Sequence, residues 1–117
     1  MSLPRRRWRF YETAAGRRPV RDFLDELTDD DAASVVAAMK DVATNGLDVA
    51  RHLRGEIYEV RAAGDRQAFR VLFAAEGRRG QVLLGVEAFS KKTQKTPAAK
   101  VALAERRLRD WRSRGGR

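Results

Sequence analysis

Ile57-Tyr-Glu-Val-Arg61, Ala68-Phe-Arg-Val-Leu-Phe-Ala-Ala75 and Val82-Leu-Leu-Gly-Val-Glu-Ala-Phe89 are three runs rich in apolar, β-branched and aromatic residues. Gly64-Asp65 separates the first two, and the segment from Gly77 to Gly80 separates the last two. Runs of this kind read as strands, and short Gly-bearing connections predict an antiparallel meander. Strand side chains alternate between faces. Tyr58 and Val60 then point one way, and Ile57, Glu59 and Arg61 the other. Phe69, Val71 and Phe73 form an apolar set with Arg70 opposite. Val82, Leu84, Val86 and Ala88 face the core, leaving Glu87, Phe89 and Lys91 outside. Alternation thus gathers Glu59, Arg61, Arg70 and Glu87 on a helix-free sheet face.

On the N-terminal side, Trp8-Arg-Phe-Tyr-Glu-Thr13 reads as a further short strand. Pro19 sits where a helix begins, and Val20, Phe23, Leu24 and Leu27 follow at helical spacing. Thr28 with Asp31 three residues on is a capping-box-like start for a second helix, which Asn45-Gly46 ends. The two helices form an acidic hairpin over about 19–46. After the meander (about 55–90), Thr96 as N-cap and Pro97 as first residue open a last helix over about 97–113. Its stripe is Val101, Ala104, Leu108 and Trp111. The predicted order is β-α-α-β-β-β-α: an α+β domain over residues 1–117, with helices on one sheet face.

A chain of 117 residues is long enough for a core without staples. With no cysteine and one histidine, disulfides, thiolate metal sites and a cysteine nucleophile are excluded, and no metal or other cofactor is expected. No apolar run reaches the roughly 20 residues of a membrane span, and Arg5, Arg6 and Arg7 lack the apolar stretch of a signal peptide. The expectation is a cytoplasmic protein with no membrane partner. Of the net charge of +9, residues Val20 to Asp48 carry −6 (eight acids, two bases), so the rest carries +15. An acidic module against a strongly basic remainder suits a polyanion, first of all nucleic acid.

The strand-to-helix junction Phe89-Ser-Lys-Lys-Thr-Gln-Lys-Thr-Pro97 changes residue type. Four of five lysines lie between Lys91 and Lys100, whereas arginine supplies 20 of the 25 basic residues overall. Lysine is a flexible point charge and arginine a rigid fork, so the change marks a local role in phosphate binding. Carboxylates beside guanidiniums suit phosphodiester cleavage by an RNA 2′-hydroxyl, where fixed cations supply the largest contribution and a carboxylate serves as base. On composition and pattern alone, cross-strand Glu–Arg pairs on a solvated sheet are the favoured reading of these residues, because surface ion pairs are common. His52 reads as a solvated loop residue, and Trp8, Tyr11 and Trp111 read as core.

Leu53-Arg-Gly55, Tyr58-Glu-Val-Arg61, Phe69-Arg-Val-Leu-Phe73 and Phe89-Ser-Lys-Lys-Thr-Gln-Lys-Thr-Pro97 together resemble the phage-derived, HigB-type branch of the RelE/ParE toxin superfamily. The likeness spans nearly the whole chain. It implies the toxin of a type II toxin–antitoxin system: a ribosome-dependent mRNA endonuclease that leaves a 2′,3′-cyclic phosphate. Its implied partners are the 70S ribosome with its mRNA and a cognate helix-turn-helix, HigA-like antitoxin. By the same resemblance, Arg61 and Arg70 match strand positions that act on the scissile phosphate, and Lys92 lies near a further catalytic cation. Glu59 and Glu87 are the candidates for proton transfer; Glu59 stands where some relatives carry Lys, and the third strand has no Tyr or His near its end. Arg54, Lys91, Lys95, Arg106 and Arg107 are the candidate RNA contacts. Two alternatives share this fold, a ParE-like gyrase inhibitor without catalysis and a degenerate member that binds nucleic acid.

Overall fold

The computed structural model describes residues 6–64, 66–91 and 95–116. Its elements are β1 (Arg7–Phe10), α1 (Pro19–Glu26), α2 (Asp29–Asn45), β2 (Arg51–Arg54), β3 (Ile57–Ala63), β4 (Ala68–Glu76), β5 (Val82–Lys91) and α3 (Ala98–Ser113). The five strands make one sheet in the order β1-β5-β4-β3-β2. β2 to β5 pair antiparallel, and β1 closes the opposite edge parallel to β5, with Arg7 beside Val82 and Phe10 beside Gly85.

The helix ends follow local chemistry. Proline at the first position of α1 supplies a preset φ where no N–H partner is required. The Thr28 side chain accepts from the Asp31 amide at 3.2 Å, and Gly46, at φ 85°, ends α2 in a conformation that penalises a Cβ.

Both sheet faces are covered. Val20 of α1 and Val35, Met39 and Val42 of α2 meet Val60, Phe69, Val71, Phe73, Leu83 and Ala88. Trp8 ties β1 into this layer: its Nε1 donates to the Met39 carbonyl at 2.7 Å, and its ring stands edge-on to Phe73 at 5.0 Å. On the other face Ala104, Leu108 and Trp111 of α3 meet Ile57, Leu72, Ala74, Leu84, Val86 and Phe89. Burying one such aliphatic side chain contributes about 1.5–3 kcal/mol, which is why α3 cannot leave its stripe in water.

The α+β class and the predicted order of elements hold, with β2 as an additional strand. The placing of all helices on one face does not: α3 crosses the face taken as helix-free. A bulge in β5 also breaks the simple alternation. Leu72 pairs with Glu87 while the next residue, Phe73, pairs with Gly85. Leu84 and Val86 therefore face α3, whereas Ala88, past the bulge, faces α1 and α2.

Candidate functional site

The candidate site lies where α3 begins, at the margin of the sheet face that it covers. β3 presents Glu59 and Arg61 two residues apart, hence on the same face. β4 places Arg70 directly opposite Arg61, and β2 places Arg51 opposite Glu59. Glu59 and Arg70 are each 1% exposed. A buried carboxylate persists only if paired and hydrogen-bonded. Arg61 Nε donates to Glu59 Oε1 at 2.6 Å, and the Thr96 hydroxyl donates to Glu59 Oε2. The same hydroxyl accepts from an Arg70 terminal nitrogen at 3.1 Å. Thr96 thus links the guanidinium of one strand to the carboxylate of the next.

That use of Thr96 corrects its reading as an N-cap. α3 starts at Ala98 after Pro97 with no side-chain cap, because the Thr96 hydroxyl is engaged with the sheet. Burial first, and then the Arg61 and Arg51 cations, hold the Arg70 guanidinium below the ordinary arginine value, with Glu59 opposing them. Three guanidiniums around one carboxylate leave an excess of positive charge. Like charges opposed across strands destabilise each other, so an anion seated among them relieves the repulsion.

Glu87 belongs to a separate arrangement. It is 7% exposed and lies on the rung Glu59–Leu72–Glu87, with Leu72 between the two acids. Its Oε2 accepts from Lys100 Nζ at 2.8 Å, and its Oε1 from Arg107 at 3.2 Å and from the Ala88 amide at 3.0 Å. Arg107 also donates to the Val86 carbonyl at 2.8 Å. Glu87 and Arg107 together fasten α3 to β5. Lys100 and Arg70 lie near the Phe89 ring, at 5.2 and 6.0 Å from its centre.

Of the remaining candidates, Arg54 pairs with Glu105 of α3 at 2.5 Å, and Arg106 is exposed. Lys91 ends β5 opposite Ala68, and Lys92 lies outside the described residues. Lys95 lines a concavity of about 330 Å³ with Arg51, Leu53, Thr96 and Val101. A second concavity of about 370 Å³ is lined by Asp48, Val49, Ala50, Arg51, Glu59 and Arg61. Arg51 borders both. His52 stands on β2, not in a loop: its Nε2 lies 2.8 Å from the Gly55 carbonyl and its ring rests near Tyr58.

Arg51 and the structural role of Thr96 are what sequence reasoning missed. The one signal for Arg51 was the basic run Arg51-His52-Leu53-Arg54 ahead of a strand. Among the described residues no group of three or more His, Asp or Glu is placed to hold a metal ion, and no helix is long and apolar enough to cross a membrane.

Residues 22–109 match the family described as phage-derived protein Gp49-like. Over 111 residues the chain is 32% identical to the protein named "Probable endoribonuclease HigB1" from Mycobacterium tuberculosis (strain CDC 1551 / Oshkosh), spanning 90% of this chain and 84% of that protein. The protein of the same name from Mycobacterium tuberculosis (strain ATCC 25618 / H37Rv) matches with the same identity and coverage.

Proposed function

Since this chain belongs to the Gp49-like family of phage-derived proteins, we propose that it is the toxin of a type II toxin–antitoxin pair and acts as an endoribonuclease on ribosome-bound mRNA. The resemblance to HigB-type toxins and the name of its relatives support that class. The observation that carries the reading is the cluster of Arg51, Arg61 and Arg70 around the buried Glu59–Thr96 pair, beside two open concavities.

In this reading the scissile phosphate sits among the guanidiniums. The bidentate geometry of arginine matches phosphate oxygens, and preorganised cations stabilise the charge that grows on them as the 2′-oxygen attacks. The 2′-hydroxyl passes its proton through the Thr96 hydroxyl to Glu59, whose carboxylate is already oriented by Arg61. The 2′-oxygen–phosphorus bond forms and the 5′-oxygen–phosphorus bond breaks, giving a 2′,3′-cyclic phosphate. The leaving 5′-oxygen takes a proton from a lysine ammonium, for which Lys95 lies beside Thr96 in the adjoining concavity. The strongly basic remainder holds the RNA backbone, and a cognate HigA-like antitoxin with a helix-turn-helix domain silences the protein until needed.

Regulated expression in bacteria tests this reading, with primer extension on a reporter message in translating and non-translating extracts. Cuts that appear only during translation are expected. Intact message with continuing protein synthesis overturns the nuclease reading in favour of gyrase inhibition, to be checked by DNA supercoiling.

A further inference from the structure

The concavity formed by Asp48, Val49, Ala50, Arg51, Glu59 and Arg61 is continuous with the catalytic cluster, because Glu59 and Arg61 belong to both. Its far wall has two features that phosphate binding does not explain. Asp48 is exposed and, among the described residues, enters no hydrogen bond or ion pair. Val49, 42% exposed, is one of two large hydrophobic side chains left in solvent among the described residues. Both sit on a short 3-10 turn, Leu47–Val49, between α2 and β2. An exposed carboxylate bordering a cluster of guanidiniums repels an RNA backbone seated there unless it accepts hydrogen bonds from the ligand.

We propose that this concavity is a base-reading subsite for the nucleotide next to the reacting phosphate, and that Asp48 selects guanine there. The inference rests on the nuclease reading for its placement, but its chemistry is independent. Guanine is the base whose Watson–Crick edge offers two adjacent donors, N1–H and the N2 amine, to the two oxygens of one carboxylate. Adenine and cytosine offer one amine beside an acceptor, and uracil one imide N–H between two carbonyls. Flanking acceptors face the carboxylate oxygens and are repelled. Val49 gives the base an apolar platform, and Arg51 bridges from the base-reading wall to the phosphate. Single-stranded bases are read in this way, by hydrogen bonds on their exposed edges together with stacking on a flat or apolar surface. A volume of about 370 Å³ is ample for one base with its sugar.

Direct binding tests the subsite without requiring cleavage. Four short oligonucleotides with a 2′-deoxy linkage at the reacting position, differing only in the adjacent base, are titrated by fluorescence anisotropy against the intact chain and its variants. A good two-bond base contact discriminates roughly 5- to 100-fold, so the guanine ligand should bind the native protein tighter than the other three by a factor in that range. Asp48→Asn, which replaces one acceptor oxygen by a donor amide, should erase that preference by weakening the guanine ligand, while the adenine, cytosine and uracil ligands, freed of the repulsion, bind no more weakly than to the native protein. Val49→Ala should weaken all four ligands together. Equal affinity of the native protein for the four ligands overturns the proposal, as does a guanine preference that survives Asp48→Asn. Because uncut ligands are used, a protein that binds guanine selectively yet cleaves no message refutes the nuclease reading alone.

Discussion

Replacing Thr96 by valine keeps the volume of the side chain and deletes the hydroxyl that joins Arg70 to Glu59. Glu59 Oε2 loses the donor from Thr96, and Arg70 loses an acceptor at 3.1 Å. The Glu59 side chain is 0% exposed, so water reaches the freed oxygen poorly, although Arg61 still holds Oε1 at 2.6 Å. A buried polar atom deprived of its partner costs about 1–3 kcal/mol. With an unfolding entropy of about 2.1 cal/mol/K per residue, a chain of 117 residues loses about 4 °C of melting temperature per kcal/mol. Thr96→Val should therefore lower the melting temperature by about 4–12 °C. Thr96→Ser, which retains the hydroxyl and sheds a methyl group, should stay much closer to the native value. Scanning calorimetry of the three proteins is the assay. A valine variant that melts within about 1 °C of the native chain, or a serine variant as damaged as the valine one, would refute the account of Thr96 as the link between the two strands.

Arg70→Ala should lower message cleavage by roughly 10²–10³-fold, the usual loss when a donor to a developing oxyanion is removed, and a variant that is folded by circular dichroism yet fully toxic would sink its role. Arg51→Ala should weaken RNA binding or cleavage by roughly ten- to a hundredfold, with Arg51→Lys restoring only part of it because the fork geometry is lost; titration of a single-stranded RNA reads this directly. Gly64→Ala should destabilise the fold by roughly 1–3 kcal/mol, since an added Cβ would lie 2.4 Å from the Phe69 ring and 2.8 Å from the Gln67 carbonyl, and urea denaturation measures it. The Tyr11 phenol is raised above its ordinary value by burial and by its 2.5 Å hydrogen bond to Asp110. Above about pH 10 the unfolded chain releases this proton while the folded state retains it, so stability present below pH 10 should decline as pH rises. Tyr11→Phe should flatten that alkaline decline; an unchanged slope would remove Tyr11 from the explanation.

The parts of the fold that were legible in the sequence are those fixed by local chemistry. Pro19, the Thr28–Asp31 cap and Gly46 set the helix ends of the acidic hairpin. The Gly-bearing turns delimit β3, β4 and β5. The elements that went unread depend on distant partners. β2 carries one apolar residue, Leu53, among Arg51, His52 and Arg54, and its strand character comes from pairing with β3. The bulge in β5 is invisible to a period-two reading because Val82 to Ala88 is apolar on both parities except at Glu87. That doubly apolar character, repeated in Val71 to Ala75, was itself the sign that both faces are covered, as runs buried on two sides are continuous rather than alternating. In the candidate site, two-residue spacing placed Glu59 with Arg61, and cross-strand alternation brought in Arg70. The same logic grouped Glu87 with them, although α3 takes that carboxylate for its own anchorage through Lys100 and Arg107.

The parallel pairing of β1 with β5 bears on when the protein can begin to work. Arg7 waits for Val82, and the Glu59–Arg70 pair waits for Thr96. Contacts between residues so far apart in the chain form late. During synthesis, then, the earlier strands and the acidic hairpin emerge with neither the sheet edge sealed nor the charged cluster joined. Under the proposed action on ribosome-bound mRNA, the ribosome making the chain meets no joined cluster until the last strand and the threonine beyond it have been made.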